Sequence, residues 1–174
     1  MSIPKFDVRV LDAILFPATN EVAKSKRKEA EAHYSSLSIV ERTQGLLDIL
    51  IRLNSNATTN ESSQHTDGGR MNLAAVLLRK EISKLAGDVI KQSGSPSSFL
   101  LSMVDPLLVL YSSQKNSILD RQSRRALSHC LAEICLSLSL IATHEETVEA
   151  IRMILSRIGS TVSVRSDLSN SFHT

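Results

Sequence analysis

An all-α protein follows from three observations on this chain of 174 residues. Apolar residues recur at helical steps of three and four in one window after another. Helix breakers are scarce, with Gly 6 and Pro 4. Hydrophobic residues make up 42% of the chain but aromatics only 3%, with no Trp, so the helices must pack through Leu, Ile, Val and Ala. The length suits one ordinary core rather than two independent domains.

The first window, Lys5 to Phe16, carries Phe6, Val10, Ala13 and Ile14 on one side and stops before Pro17, because a residue preceding proline is driven out of the helical region. A highly charged helix runs from about Asn20 to Tyr34, with Val22, Ala30 and Tyr34 as its inward candidates. Ser38 and Glu41 stand at capping-box spacing and open a third helix. In it Val40, Thr43, Leu47 and Leu50 share a face that Leu46 and Leu53 widen, so this helix is expected to be sandwiched. From Asn54 to Gly69 the chain turns to Asn, Ser, Thr, Gln and a Gly pair, the composition of a disordered or mobile loop.

The segment Met71 to Ile82 joins a small-residue packing face to a dibasic step. Ala74 and Ala75 allow close approach of a neighbouring helix, and Leu78, Ile82, Leu85 and Val89 make one stripe, with Arg79, Lys80 and Lys84 beside it. Ser95-Pro96 reads as a cap and first-turn proline. The helix that follows either kinks at Pro106 or restarts there with Asp105 as cap. Arg121 to Ala142 has the clearest period, Leu127, Leu131, Ile134, Leu138 and Ile141. Thr143 and Glu146 repeat the capping-box spacing ahead of Val148, Ile151, Leu155 and Ile158. The organisation expected is a helical-repeat domain over 1–159 and a flexible Ser-rich tail over 160–174.

Helices of this length could form a bundle or a solenoid. The charged helices around Ala30, Lys80 and Arg125 lie roughly 45 to 50 residues apart, near the period of about 40 to 47 of HEAT-type repeats. That spacing predicts a right-handed α-solenoid of antiparallel helix pairs, HEAT/ARM-like, with three to four repeats. The windows near 20–34, 70–90 and 120–142 would line its concave side, and those near 38–53, 96–112 and 145–158 its convex side.

Several function classes lose support from the residues themselves. A formal charge of +2 gives no electrostatic argument for a nucleic-acid binder. Phe99 to Tyr111, the most apolar run, is too short for a bilayer, and no secretory leader opens the chain. Cys130 and Cys135 are spaced as reduced thiols on different helix faces, favouring a cytosolic or nuclear setting. The triplets Asn56-Ala57-Thr58 and Asn60-Glu61-Ser62 have no meaning as glycosylation sites there. His144-Glu145-Glu146 lacks the second histidine of a zinc-protease helix, Gly68-Gly69-Arg70 lacks the Lys-Ser/Thr of a phosphate loop, and no Gly-x-Ser-x-Gly occurs. His129 beside Cys130 is read as a surface imidazole next to a packed thiol, and Met71, Met103 and Met153 as core residues. No catalytic residue, metal or cofactor is expected.

Leu11 to Phe16, Asn20-Glu21-Val22 and Ala30-Glu31-Ala32-His33-Tyr34 look like the opening repeat of the importin-β (karyopherin) family. Met71 to Ile82, of the type small-small-apolar-Leu-Leu-Arg-basic, resembles its second repeat, and Asp120 to Glu133 looks like the inner helix of the third. The resemblance runs from about Leu11 to Ile158. Lys24 to Arg27 lengthens the first inner helix, the polar stretch 54–69 is long for such a turn, and the chain encodes far fewer repeats than a full karyopherin, as an N-terminal fragment would. What the resemblance implies is a transport receptor module that binds the GTP-loaded small GTPase Ran through concave inner helices, in the cytoplasm, nucleus and nuclear envelope. Import cargo and nucleoporins would engage only later repeats, missing here. The positions matching inner helices are Arg79, Lys80, Lys84, Arg121, Arg124 and Arg125. Guanidinium groups on such a row can engage an acidic surface bidentately. An ordinary solvated face is the plain alternative for these six, and a generic repeat scaffold holding another protein or peptide the alternative for the whole.

Overall fold

The apolar stripes become seven α-helices among the described residues of the computed structural model, which are 6–15, 19–56, 64–89, 96–112, 121–145, 147–149 and 151–156. In chain order these are α1 (Val8–Leu15), α2 (Glu21–Ser36), α3 (Ile39–Asn56), α4 (Gln64–Val89), α5 (Pro96–Ser102), α6 (Val104–Ser112) and α7 (Arg121–Ile141). Further helical turns occur at 144–145, 147–149 and 151–156, and no strand occurs among the described residues. The chain is all-helical, and its packing is compatible with a helical repeat.

Capping chemistry sets where the helices begin. The Asn20 side chain accepts the Ala23 N–H at 2.8 Å and starts α2. At α3 the capping box is complete: the Glu41 N–H donates to Ser38 Oγ at 3.2 Å, and the Ser38 N–H donates to the Glu41 carboxylate at 2.8 Å. Those bonds, the Ser38 hydroxyl foremost, hold the Glu41 carboxyl below its ordinary value. After α5 a turn at Met103 restarts the chain as α6 at Val104. Asp105 therefore lies in the first turn of α6 rather than capping it, and Pro106 costs nothing there because first-turn N–H groups have no intrahelical partner.

The packing joins two layers. α3 lies on α4, with Arg42 near the start of α3 reaching Glu81 late in α4, so this pair is antiparallel. α5 and α6 cover α7, α6 touches α3, and α4 lies along α7. Three contacts fix the last pairing: Ser123 Oγ to the Gly68 carbonyl at 3.4 Å, Cys130 Sγ to the Ala75 carbonyl at 3.1 Å, and Arg79 Nε to Glu133 at 3.4 Å. Their sequence separations are 55, 55 and 54 residues. Only parallel helices in register keep such a constant offset, since an antiparallel pair would make the separation shrink along the contact. Ala74, Ala75 and Ser123 are buried at this seam, where small side chains allow α4 and α7 to approach.

The core of these layers holds the residues that the stripes name: Leu46, Leu47, Leu50 and Leu53 from α3, Leu78, Ile82 and Leu85 from α4, and Leu127, Leu131, Ile134 and Leu138 from α7. Burying apolar surface stabilises them by about 25 cal/mol per Å². Phe6 lies on α3 at Gly45, where a Cβ would stand 2.7 Å from that of Phe6, and its ring tilts at 58° against Tyr34 with centroids 5.3 Å apart.

Several expectations are corrected. The polar stretch expected as a loop over 54–69 is helical at both ends, as the last turn of α3 and as α4 from Gln64, with 57–63 outside the described residues. The reason is tertiary. Arg70 grips Asp12 of α1 through two bonds of 2.6 and 3.0 Å and Asp67 at 2.8 Å, while the Gly68 carbonyl takes the Ser123 hydroxyl. Val22 is 65% exposed, because α2 packs chiefly on α1 and reaches α4 only at its end, with Tyr34 beside Glu81; Val40, in the first turn of α3, is also exposed. The window near 20–34 therefore does not run along α4; α1 touches α4 instead. After α7 the buried positions among the described residues are Thr147 and Ile154, and Val148, Met153 and Leu155 are exposed. Leu11, omitted from the first stripe, is fully buried. Pro17, the Ser95 cap, Glu146 of the second capping box, Ile158 and the tail 160–174 lie outside the described residues.

Candidate partner-binding face

Three charged residues within two turns of α4 serve different ends. Glu81 is 1% exposed and takes the Arg42 Nε at 2.9 Å and the Lys84 Nζ at 2.8 Å. Burial alone would raise its carboxyl, but the hydrogen bonds from Lys84 and Arg42 outweigh that and hold it below its ordinary value. Arg42 also donates to the Leu37 carbonyl at 2.8 Å, and its guanidinium carbon lies 5.4 Å from the Tyr34 ring centre. Burial, with the nearby Glu81 charge, pushes the Tyr34 phenol well up. Lys84 is thus drawn to the α3–α4 seam as a second cation on Glu81, on the Oε1 that Arg42 leaves free.

Arg79 points the other way. Its side chain is 51% exposed and pairs across the α4–α7 seam with Glu133. Arg79 and Arg125 line one open depression of about 370 Å³ together with Asn72, Val76, Gln122, Ala126 and His129. Lys80 is exposed one residue beyond Arg79, and Arg121 is exposed at the start of α7. Arg124 is half-buried, and its Nε, out of reach of solvent, has no hydrogen-bond partner among the described residues. Of the six basic candidates, the structure therefore brings Arg79 and Arg125 together and draws Lys84 away to Glu81.

The depression also contains residues that sequence reasoning passed over. Asn72, Val76 and Arg79 follow one another at steps of four and three on α4, and Gln122, Ala126 and His129 do so on α7, so one helical-wheel reading from Arg79 and Arg125 would have found them. Val76, Leu136 and Leu140 add exposed apolar surface to these two helices. Behind the seam, burial pushes the Cys130 thiol up to about 12, consistent with a packed, unreactive side chain bonded to Ala75. Its neighbour His129 is exposed and lines the depression.

A second open cavity, about 440 Å³, lies between α1 and α2 and mixes Asp7 and Glu29 with Arg9, Lys26 and His33 over Val10, Ala13 and Ala30. Among the described residues no group of three or more His, Cys, Asp or Glu side chains gathers where a metal could be held. No described helix is long and apolar enough to cross a membrane. Compared with protein-family models, curated proteins and solved structures, the chain matches none.

Proposed function

We propose that this chain is a protein-binding module of helical repeats whose partner-facing surface is the α4–α7 face, and that it does no chemistry of its own. The observation that carries this is the constant offset of 54 to 55 residues between α4 and α7, which stacks two helices in parallel as consecutive repeats of a solenoid stack them. The finer reading is a right-handed HEAT/ARM-like solenoid of three to four repeats, in which α4 and α7 are inner helices and α3 with α5–α6 are outer ones.

The partner we propose is the GTP-loaded form of the small GTPase Ran, with the chain acting as the N-terminal module of an importin-β-like transport receptor between cytoplasm and nucleus. Exposure of Lys80, Arg121 and Arg125, with Arg79 half-exposed, on the two helices that resemble karyopherin inner helices supports it. Binding of the full chain to Ran loaded with a non-hydrolysable GTP analogue, beside the GDP form, tests it. Preference for the GTP form, lost in Arg79→Glu/Arg125→Glu, is the expected outcome. Equal or absent binding by folded protein removes Ran and leaves a repeat scaffold with a different protein partner.

A further inference from the structure

We infer that the depression between α4 and α7 takes an extended acidic segment of a partner protein, and that Glu133 is a built-in competitor which such a segment must displace from Arg79. The inference rests on the α4–α7 face being the partner-facing surface and does not require the partner to be a GTPase. Among the described residues no carboxylate lines the depression itself: Arg79, Arg125 and His129 supply its positive and ionisable groups, and Asn72 and Gln122 its amides. An amide both donates and accepts, so Asn72 and Gln122 can satisfy the backbone of an extended chain while the two guanidinium groups take its carboxylates. Nucleic acid fits less well, because among the described lining residues there is no Phe, Tyr or Trp, which leaves the His129 imidazole as the single ring on which a base could stack.

Glu133 supplies the regulation. It sits at the rim, mostly buried, with its Oε2 3.4 Å from the Arg79 Nε. In the free protein Arg79 is therefore engaged, though through a single long bond to Nε that does not use its Nη donors. An incoming carboxylate offers the bidentate geometry that Glu133 does not. Removing the charge at 133 leaves Arg79 with no internal competitor and subtracts a negative charge from the rim, so both effects favour acidic ligands.

Fluorescence anisotropy with the full chain and fluorescein-labelled octaglutamate is the test, with octalysine and a single-stranded octanucleotide as comparison ligands. Circular dichroism first confirms that each variant is folded. Octaglutamate is expected to bind in preference to both comparison ligands, Arg125→Glu to weaken it about tenfold, and Glu133→Gln to tighten it about threefold. Arg27→Glu, on exposed α2, should leave it unchanged. The proposal is overturned if Glu133→Gln weakens binding or leaves it as it was, if the octanucleotide binds more tightly, or if Arg27→Glu costs as much as Arg125→Glu, which would mark diffuse attraction. Failure here with GTP-dependent Ran binding intact removes only the acidic-segment proposal. Failure of Ran binding with octaglutamate bound as expected removes only the GTPase.

Discussion

The two flanks of α4 use the same residue types to opposite effect. On the flank facing α3, Arg42 and Lys84 close on Glu81, which has almost no contact with water. On the flank facing α7, Arg79 meets Glu133 across a seam open to solvent. Both are cation–carboxylate contacts, yet one is closed off from water and the other has its cation half in water. The difference lies in desolvation. A buried carboxylate left alone is costly, so the mostly buried Arg42 is held on Glu81, which also keeps the half-exposed Lys84; Arg79 is half in water and Glu133 is less deeply buried than Glu81, so less is lost when that pair opens.

The sharpest break of this comparison is Arg42→Ala. It strips Glu81 of one of two cations, frees the Leu37 carbonyl and removes the cover on the Tyr34 ring. Lys84 stays on Glu81, so the cost is that of the lost Arg42 bonds rather than of a bare buried charge, and should come to about 3 kcal/mol. The urea midpoint should fall accordingly with an unchanged slope. The same flank has a pH signature. Because the folded-state carboxyl of Glu81 lies below its ordinary value, the cluster contributes stability that is fully present above the unfolded-state value, about 4.5, and is lost as pH falls through the lower folded value. The stability difference between wild type and Glu81→Gln should therefore hold steady from about pH 8 to about pH 5 and shrink only in more acid solution. A difference that changes near neutrality would place the titrating group elsewhere.

Next in size is Arg70→Ala, at the join between α1 and α4. Arg70 is intermediate between the two flanks, part-buried and bonded to both Asp12 and Asp67. Its loss leaves two carboxylates facing each other and should cost about 1–3 kcal/mol. Faster amide exchange in α1, with α7 unchanged, would show that the effect is local undocking.

How legible all this was from sequence follows the same division. Stripes such as Leu127, Leu131, Ile134 and Leu138 are local, so periodicity alone found the helices and most of their buried faces. The polar run ahead of Arg70 was misjudged because composition speaks for loop, whereas contacts 58 and 55 residues away, to Asp12 and Ser123, decide for helix. Asp67 and Arg70 at i, i+3 were the local hint. In the candidate site, Arg79 and Lys84 look equivalent in sequence and part company only when Glu81 is known to be buried and Glu133 is known to lie across the seam. Capping boxes were readable where cap and partner are three residues apart, as at Ser38 and Glu41. Ion pairs spanning 39 and 54 residues were not.

The smallest effect expected is also the most discriminating. Arg79→Ala removes a guanidinium that is half in water and bound to Glu133 by one bond of 3.4 Å. Exposed pairs contribute about 0.2–1 kcal/mol, so stability should fall by about 0.5 kcal/mol or less, read from the urea midpoint. Glu133 is the more buried partner, but at 16% exposure it keeps some contact with water, unlike Glu81 at 1%. A protein that tolerates Arg79→Ala and yet loses its partner would separate stability from recognition at a single residue. If Arg79→Ala instead destabilised the chain to the same extent that Arg42→Ala does, the α7 flank would be bound into the fold no less firmly than the α3 flank. Arg79 could then not be both a structural pin and the group a ligand displaces from Glu133, and the partner-binding face would have to be sought away from the α4–α7 seam.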